Sequence, residues 1–474
     1  MNSNLDQLLQ DAAGRESAEI SAENPYREIG FDGGKQRLGW VRMPSSSAIR
    51  KALEDITPVI RQKKRFVFVG IGGSGNGIKT LLSLFPENSC ITLDSLDPHA
   101  LREVLASAEN KEDLMVIAIS KSGSTRETQL LALTMRELFG DAWARHFLWL
   151  SDPESFAKLD TLGWEQARRF PIQCDGRSDI GGRFSCPHTL IFLLPLCIQC
   201  GFDIERVIAL TEEYRGLQER IGRAALVFAG KYRDAQEAFF CPVVSERLRG
   251  AFYPWVVQLF QESLGSKRDD FWVKTLNCFE VDPDKYFALK LDTVVEEPVV
   301  ELMATMYFFQ MFVAFFAAYK NINFVNQEFV EKYKRCMKEL EQEVFEDVPS
   351  IDREALREAL EDAVSEDPFI EVVLYFHAEP GFVRSFQEYL QTAFPEKVIL
   401  LFEGSDWNHH SYQAAAGDKN TFYVFLLPPE YGHENLPFSE EILAKNVHAM
   451  KLISKATHLT LESKSLLSSL QEIR

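Results

Sequence analysis

Cysteine is scarce, with eight in 474 residues and no framework spacing. That excludes a small disulfide-stapled scaffold and reads as reduced intracellular thiols. Basic residues are outnumbered, 51 Lys+Arg against 70 Asp+Glu, for a formal net charge of -19. So acidic a chain repels phosphate backbones, which argues against nucleic acid as a partner outside a local basic patch. An anionic ligand must then be held by local donors. Met1–Asn24 lacks the basic n-region and apolar h-region of an export signal, and the expectation is a cytoplasmic protein. Long apolar runs are nearly absent. The exception, Leu302–Tyr319, carries no formal charge and reaches the lower limit for spanning a bilayer. It contains Thr305 and Gln310 and runs into an amphipathic charged stretch, so it reads as a core helix and no membrane partner is expected. Metal-ligand spacing is missing too. Cys197 and Cys200 form a CxxC inside the apolar run IFLLPLCIQC, with no second pair nearby, and read as one face of a buried helix. No convincing short-period repeat is present.

What is there is ordinary for a packed protein, 46% hydrophobic and 26% charged. At roughly 150 residues per domain the length suggests about three units. From Arg65 the pattern alternates. RFVFVG, CITLD, LMVIAIS and HFLWLSD read as strands, and helical segments lie between them. Such alternation means βαβ units and a parallel, helix-covered sheet. The pattern weakens over Ser151–Ser185 and then turns helical. FFCPVVS and YFALKLD read as strands of a second unit, and VNQEFVEKYKRCMKELEQEVF as a long charged helix. A third αβ stretch holds IEVVLYFH, KVILLFEG and TFYVFLLPP. The expected organisation is an N-terminal extension over 1–44, α/β units over 45–165 and 166–348, and a C-terminal α/β segment over 349–474.

Two loops carry the chemistry. GIGGSGNG, at Gly70–Gly77, follows a strand and opens a helix. Gly70, Gly72 and Gly75 fit the dinucleotide pattern G-x-G-x-x-G, and Asp94 sits where a ribose-binding carboxylate would. The physical content of the loop is less specific, because glycines and a helix N-terminus serve a phosphate monoester as well as a pyrophosphate. The second loop discriminates. After the third strand, Ser120-Lys121-Ser122-Gly123-Ser124-Thr125 leads into a helix. One hydroxyl would suffice for a helix cap, with Glu127 as its capping-box partner. Four hydroxyls in six residues make a phosphate nest instead. A dinucleotide domain has no use for this second loop, whereas a sugar-phosphate site does.

GIGGS followed by SKSGST-x-ET resembles a sugar isomerase (SIS) domain. Further motifs sharpen the resemblance to the glucose-6-phosphate isomerase family. Gly181-Gly182-Arg183-Phe184-Ser185 resembles GGR[FY]S, and Glu262-Ser263-Leu264-Gly265-Ser266-Lys267 resembles ES-x-GK with one extra residue. Asn326–Lys334 resembles DQP-x-VE-x-x-K, with Glu328 in place of proline. The family's QHS motif is missing between the last two. The branch fused to transaldolase carries instead a C-terminal stretch like GPRFLHSTGQLHKGGPN. Gly404–Asn420, GSDWNHHSYQAAAGDKN, aligns with it without gaps, placing His409 on its first histidine and Gln413 on its glutamine. Ala415 and Ala416 replace its second histidine and lysine.

The resemblance implies two SIS-type doubly wound parallel-sheet units (flavodoxin-like three-layer αβα) plus a smaller C-terminal α/β segment. It implies interconversion of glucose 6-phosphate and fructose 6-phosphate through an enediol(ate), with no cofactor or metal. Glu262 matches the family's proton shuttle, and Arg183 the cation at the developing oxyanion. His409, with His410 as near alternative, would pass a proton to the ring oxygen, and Lys334 would aid ring opening. Gly73, Ser74, Ser120, Ser122 and Thr125 would hold the phosphate. Gly72, Gly182, Gln327 and Gln413 would contact the rest of the substrate. Such isomerases commonly dimerise. Two alternatives stay open on the residues. One is a SIS-type sugar-phosphate-binding protein without turnover; the other is an NAD-dependent dehydrogenase favoured by the glycine fingerprint and Asp94.

Overall fold

The computed structural model describes residues 2–14, 24–87, 89–265, 271–341, 348–364, 366–432, 435–461 and 464–472. Its first unit follows the alternation: β1 (Arg65–Val69), α1 (Asn76–Leu82), β2 (Cys90–Leu93), α2 (Pro98–Ala106), β3 (Leu114–Ile119), α3 (Arg126–Phe139), β4 (Phe147–Ser151) and β5 (Arg168–Pro171). The five strands are all parallel, in the order β2-β1-β3-β4-β5. Every residue of β3 is buried, because helices cover both faces and a parallel strand then has no solvent side. Asp97 caps α2 by accepting the His99 amide, with Pro98 at the first helical position.

The middle unit is mostly helical. It comprises α4 (Leu190–Gln199), α5 (Ile204–Arg215), α6 (Gln218–Tyr232), β6 (Glu237–Val243), β7 (Trp272–Thr275), β8 (Phe287–Lys290), α7 (Pro298–Lys320) and α8 (Val330–Leu340). Its three strands are parallel, in the order β8-β6-β7. The apolar run forms α7, whose most apolar window is 94% buried inside the protein, so it is a core helix here. Its single side-chain amide anchors a loop. Gln310 Nε2 donates to the carbonyls of Phe184 and Cys186, at 3.2 and 2.7 Å. The core thereby holds the GGRFS loop. Asn321 ends α7 in the left-handed conformation, donating back to Ala317 and Ala318. Cys197 is fully buried on α4, and both it and Cys200 are free thiols. Burial pushes the Cys197 thiol up to about 12, so it is inert as a nucleophile.

The C-terminal unit contains β9 (Ser350–Ile351), β10 (Phe369–Leu374), α9 (Pro380–Ala393), β11 (Val398–Glu403), β12 (Thr421–Leu427), α10 (Glu440–Leu461) and β13 (Ser465–Leu470). Though shorter in sequence than the middle unit, it carries the larger sheet. Its five parallel strands run β9-β13-β12-β10-β11. Two buried cores result. One joins the N-terminal helix and middle unit to one face of the first sheet; the other joins that sheet's opposite face to the C-terminal unit.

Polar links also tie the first unit to the C-terminal one. His377, just past β10, lies 3.2 Å from Glu103 on α2 and 3.7 Å from Glu403 on β11. The Glu403 hydrogen bond, opposed by burial, raises its pKa to about 9. A pKa raised on folding stabilises below the unfolded value, about 6.5, and that contribution is lost as pH rises through about 9. Melting curves between pH 6 and 9.5 should therefore show the difference between wild type and His377→Gln shrinking steadily as pH rises. A pH-independent difference would mean that His377 is neutral in the folded protein.

Candidate functional site

The glycine loop after β1 and the hydroxyl loop after β3 leave adjacent strands at their carboxyl ends, where open α/β sheets bind ligands. Both turns thus share one crevice. Gly72 adopts φ +61°, and a Cβ there would lie 2.9 Å from the His409 Cβ. A Cβ on Gly73 would meet the Gly182 carbonyl carbon at 2.5 Å and the Arg183 nitrogen at 2.8 Å. The glycine loop is therefore wedged between the GGRFS loop and the C-terminal unit, and a side chain at Gly73 would have to push backbone aside.

In the hydroxyl loop Ser120 Oγ lies 3.0 Å from Thr125 Oγ1, and the Thr125 amide points at Ser120 Oγ at 3.4 Å. Ser122 is exposed beside Ser124 at 3.2 Å. Lys121 turns aside to donate to the Ile180 carbonyl at 2.6 Å. Burial, opposed by Asp152, pulls its ammonium down to about 8. Glu127 does not act as a capping-box partner. It is buried and accepts from His409 Nε2 at 2.9 Å.

Glu262 sits in a π-helical turn, Gln258–Glu262, a distortion common at functional sites. The turn aims a buried carboxylate at Arg183, with Nη1 to Oε1 3.0 Å. Arg183 is itself pinned, donating from Nε to Ser263 Oγ at 2.7 Å and from Nη2 to the Phe324 carbonyl. Gln258 Nε2 donates to the other Glu262 oxygen at 3.0 Å. Burial raises the Glu262 pKa against the lowering pull of Arg183 and Gln258. The result is a carboxylate poised to accept and release a proton beside a fixed guanidinium.

The C-terminal unit supplies the histidine. After β11 the short helix Asp406–His410 enters the crevice. Burial lowers the His409 pKa, but Glu127 outweighs it and the net shift is upward. His410 differs. It is buried with Nδ1 2.6 Å from Ser411 Oγ, and burial pulls its pKa down to about 4. Of the two, His409 is the one presented as a cation beside a carboxylate. Asp406 Oδ1 accepts the Gly72 amide at 2.9 Å, and both its oxygens face Asn76 Nδ2, at 3.3 and 3.1 Å. Asn76 reaches Gln258 Oε1 at 3.3 Å. A buried chain of polar contacts thus runs from Asp406 through Asn76 and Gln258 to Glu262.

The remaining predicted positions are placed less centrally. Lys334 lies on α8, half-exposed, 3.1 Å from Glu331, with Glu127 inside its electrostatic reach. Gln327 occupies the turn before α8, its amide donating to Asn326 Oδ1 at 2.7 Å. Gln413 is buried and engaged at both ends, accepting from the Phe329 amide at 3.1 Å and donating to the Gly265 carbonyl at 3.2 Å. Ser74 and Gly182 stand in the two glycine turns. Ser266 and Lys267 lie outside the described residues. Asp94 is buried and ion-paired with Lys79, so its carboxylate is not free for a ribose. Sequence reading missed Gln258, Asn76 and Asp406. The only signal was the polar i, i+4 spacing of Gln258 and Glu262 within an otherwise apolar helix.

Part of the chain is similar to known proteins. Residues 57–212 match the model of the family described as phosphoglucose isomerase. A glucose-6-phosphate isomerase of Thermus thermophilus is 30% identical over 239 residues, covering 48% of this chain and 55% of that protein. A probable glucose-6-phosphate isomerase of Natronomonas pharaonis is 31% identical over 271 residues, covering 55% and 58%. The chain thus spans about half the length of the curated relatives it matches. Among solved structures, a hypothetical protein of Thermus thermophilus superposes with a TM-score of 0.50 at 21% identity, covering 72% of this chain and 96% of that one. The glucose-6-phosphate isomerase of Chlamydia trachomatis also gives 0.50, at 15% identity, covering 71% and 84%. These two likenesses speak to the fold alone. The likeness to the phosphoglucose isomerase family therefore lies in residues 57–212 of this chain.

Proposed function

We propose that the protein is an aldose–ketose isomerase that interconverts glucose 6-phosphate and fructose 6-phosphate. The observation that carries this reading is the Glu262–Arg183 pair, buried at the mouth of two phosphate-type loops and faced by a His409–Glu127 pair. In this reading Gly73, Ser74, Ser120, Ser122 and Thr125 hold the phosphate, with the helix N-termini of the crevice favouring its charge. His409, kept protonated by Glu127, passes a proton to the ring oxygen as the ring opens, and Lys334 assists from the rim. Glu262 takes the proton from C2, carries it to C1 and is regenerated. Arg183 faces the oxygen on which negative charge develops, where a fixed cation in a dry site is most effective. Gly72, Gly182, Gln327 and Gln413 shape the remaining wall. Proton transfer within one substrate balances without redox exchange.

The deciding experiment is a coupled assay of the purified chain with fructose 6-phosphate, reading glucose 6-phosphate as it forms. Turnover supports the reading. Saturable binding without turnover would replace it with a sugar-phosphate-binding protein. A variant then probes the geometry. Gly73→Ala forces apart two backbones already in contact, and displacing reacting groups by about 1 Å costs on the order of 10²-fold in rate. Its kcat should fall by that order while the melting temperature stays within a few degrees. Unchanged kcat would mean that the GGRFS loop does not need its present distance from the glycine loop.

A further inference from the structure

The crevice described above has a counterpart. The first sheet runs β2-β1-β3-β4 and the C-terminal sheet runs β11-β10-β12-β13, the same winding. Each sheet reverses direction at its founding strand, opening a crevice between β1 and β3 and another between β10 and β12. The segment after the second strand of each unit crosses into the crevice of the other. After β11, Asp406 accepts the amide of Gly72, three residues past β1, at 2.9 Å. After β2, Asp97 accepts the amide of His377, three residues past β10, at 2.7 Å. The two crevices are built by one exchange made twice.

The second crevice is an open cavity of ≈ 580 Å³ lined by residues including His99, Arg102, Arg353, His377, Phe382 and Tyr431. Small-molecule sites occupy roughly 300–1,000 Å³. One of its donors, on Arg353, is not used up. The Arg353 guanidinium lies 5.6 Å over the rings of both Phe382 and Phe386, and its Nε is buried without a hydrogen-bond partner. The N-terminus of α9 opens on the same cavity through Gly381 and Phe382, and the Glu379 side chain does not cap it. The acidic groups are accounted for. Both Asp97 oxygens accept amides, Glu103 pairs with His377, and Glu379 and Glu430 are exposed at the rim.

The geometry points to a second ligand site in the β10/β12 crevice, for a small metabolite bearing an oxyanion, a phosphate ester or a carboxylate. Arg353 and the first turn of α9 bind the oxyanion, and Phe382 and Tyr431 flank its carbon body. The site requires no turnover, so it stands apart from the isomerase reading.

Calorimetric titration of the full chain with inorganic phosphate, fructose 6-phosphate and succinate tests it. Two binding events per chain are expected with at least one probe. Which probes show the second event tells a phosphate-specific site from a carboxylate site. Arg353→Leu should weaken one event by about tenfold or more, the loss of a charge-assisted hydrogen bond. It should leave the other event, and any turnover, within about twofold. Gly381→Asp guards against misfolding, because a Cβ there meets nothing within 4 Å. An added carboxylate favours the helix start, yet it repels an oxyanion and should remove the same event. If no event with any probe is weakened by both variants, the site is overturned.

Discussion

Glu262→Gln is expected to lower kcat for fructose 6-phosphate by 10²–10⁴-fold, on the order of what a positioned general base contributes. The substitution keeps shape and volume. An amide oxygen still accepts from Arg183, and Gln258 can turn to meet the new NH2 group. What is lost, on the proposed mechanism, is the proton carrier, because an amide takes up no proton at accessible pH. KM should move by less than about threefold, since the groups proposed to hold the phosphate are untouched and an interaction made only in the transition state lowers kcat and kcat/KM together. Removing the negative partner of Arg183 (3.0 Å away) also leaves a site more welcoming to an anion. In the wild type, turnover should fall on the acid side as Glu262 protonates, at a pH above that of an ordinary carboxylate because burial raises its pKa. Steady-state kinetics from pH 5 to 9 check both points, and a variant with near wild-type kcat would remove Glu262 from the mechanism.

The largest loss of stability should come from Lys274→Met. Lys274, on β7, reaches Glu371 on β10 at 2.7 Å and Asp418 at 3.0 Å, and all three side chains are within 1% of complete burial. The Trp407 indole donates to the other Glu371 oxygen, and Thr421 and Tyr423 donate to Asp418. Removing the ammonium leaves two carboxylates facing each other in a dry interior. Breaking a buried pair in this way costs about 3–5 kcal/mol, and the melting temperature should fall by roughly 5–10 °C. The sign with pH is fixed by the same argument. Against burial, Lys274 holds the Asp418 carboxyl below its usual range; without it Asp418 keeps its proton to higher pH, so the deficit should be greatest near neutrality and shrink towards pH 5. Adding Glu371→Gln and Asp418→Asn should restore much of the loss. A deficit that does not vary with pH would mean that the methionine disturbs packing rather than charge.

Much of the first unit could be read from its residues. The runs RFVFV, CITL, LMVIAI and FLWLS are the β1–β4 strands, because a parallel strand covered on both faces has no polar positions to hide it. FFCPV and FALK likewise became β6 and β8. Trp272–Thr275 was missed as a strand, since four residues carrying a lysine show no period, and that lysine is neutralised by partners far along the chain. Three serines in the six residues of SLLSSL hid β13. The glycine and hydroxyl turns announced themselves through spacing and chemistry, whereas GGRFS and Glu262 were singled out only by the family resemblance. Glu127 did not announce itself, because at the start of a helix a glutamate reads as a cap until a histidine from 282 residues away is seen beside it. Asp406 and Asn76 were illegible for the same reason, each needing partners that only the folded chain brings together.

The exchange of segments between the two crevices bears on how this molecule can be taken apart. A fragment ending before residue 398 would fold, at best, with an empty slot where His409 and Asp406 belong, and a fragment beginning after residue 106 would lack Asp97 at its own crevice. Neither half is a module that could be transplanted whole. Engineering or inheritance that shuffles such pieces must carry both partners together or rebuild the borrowed corner from scratch.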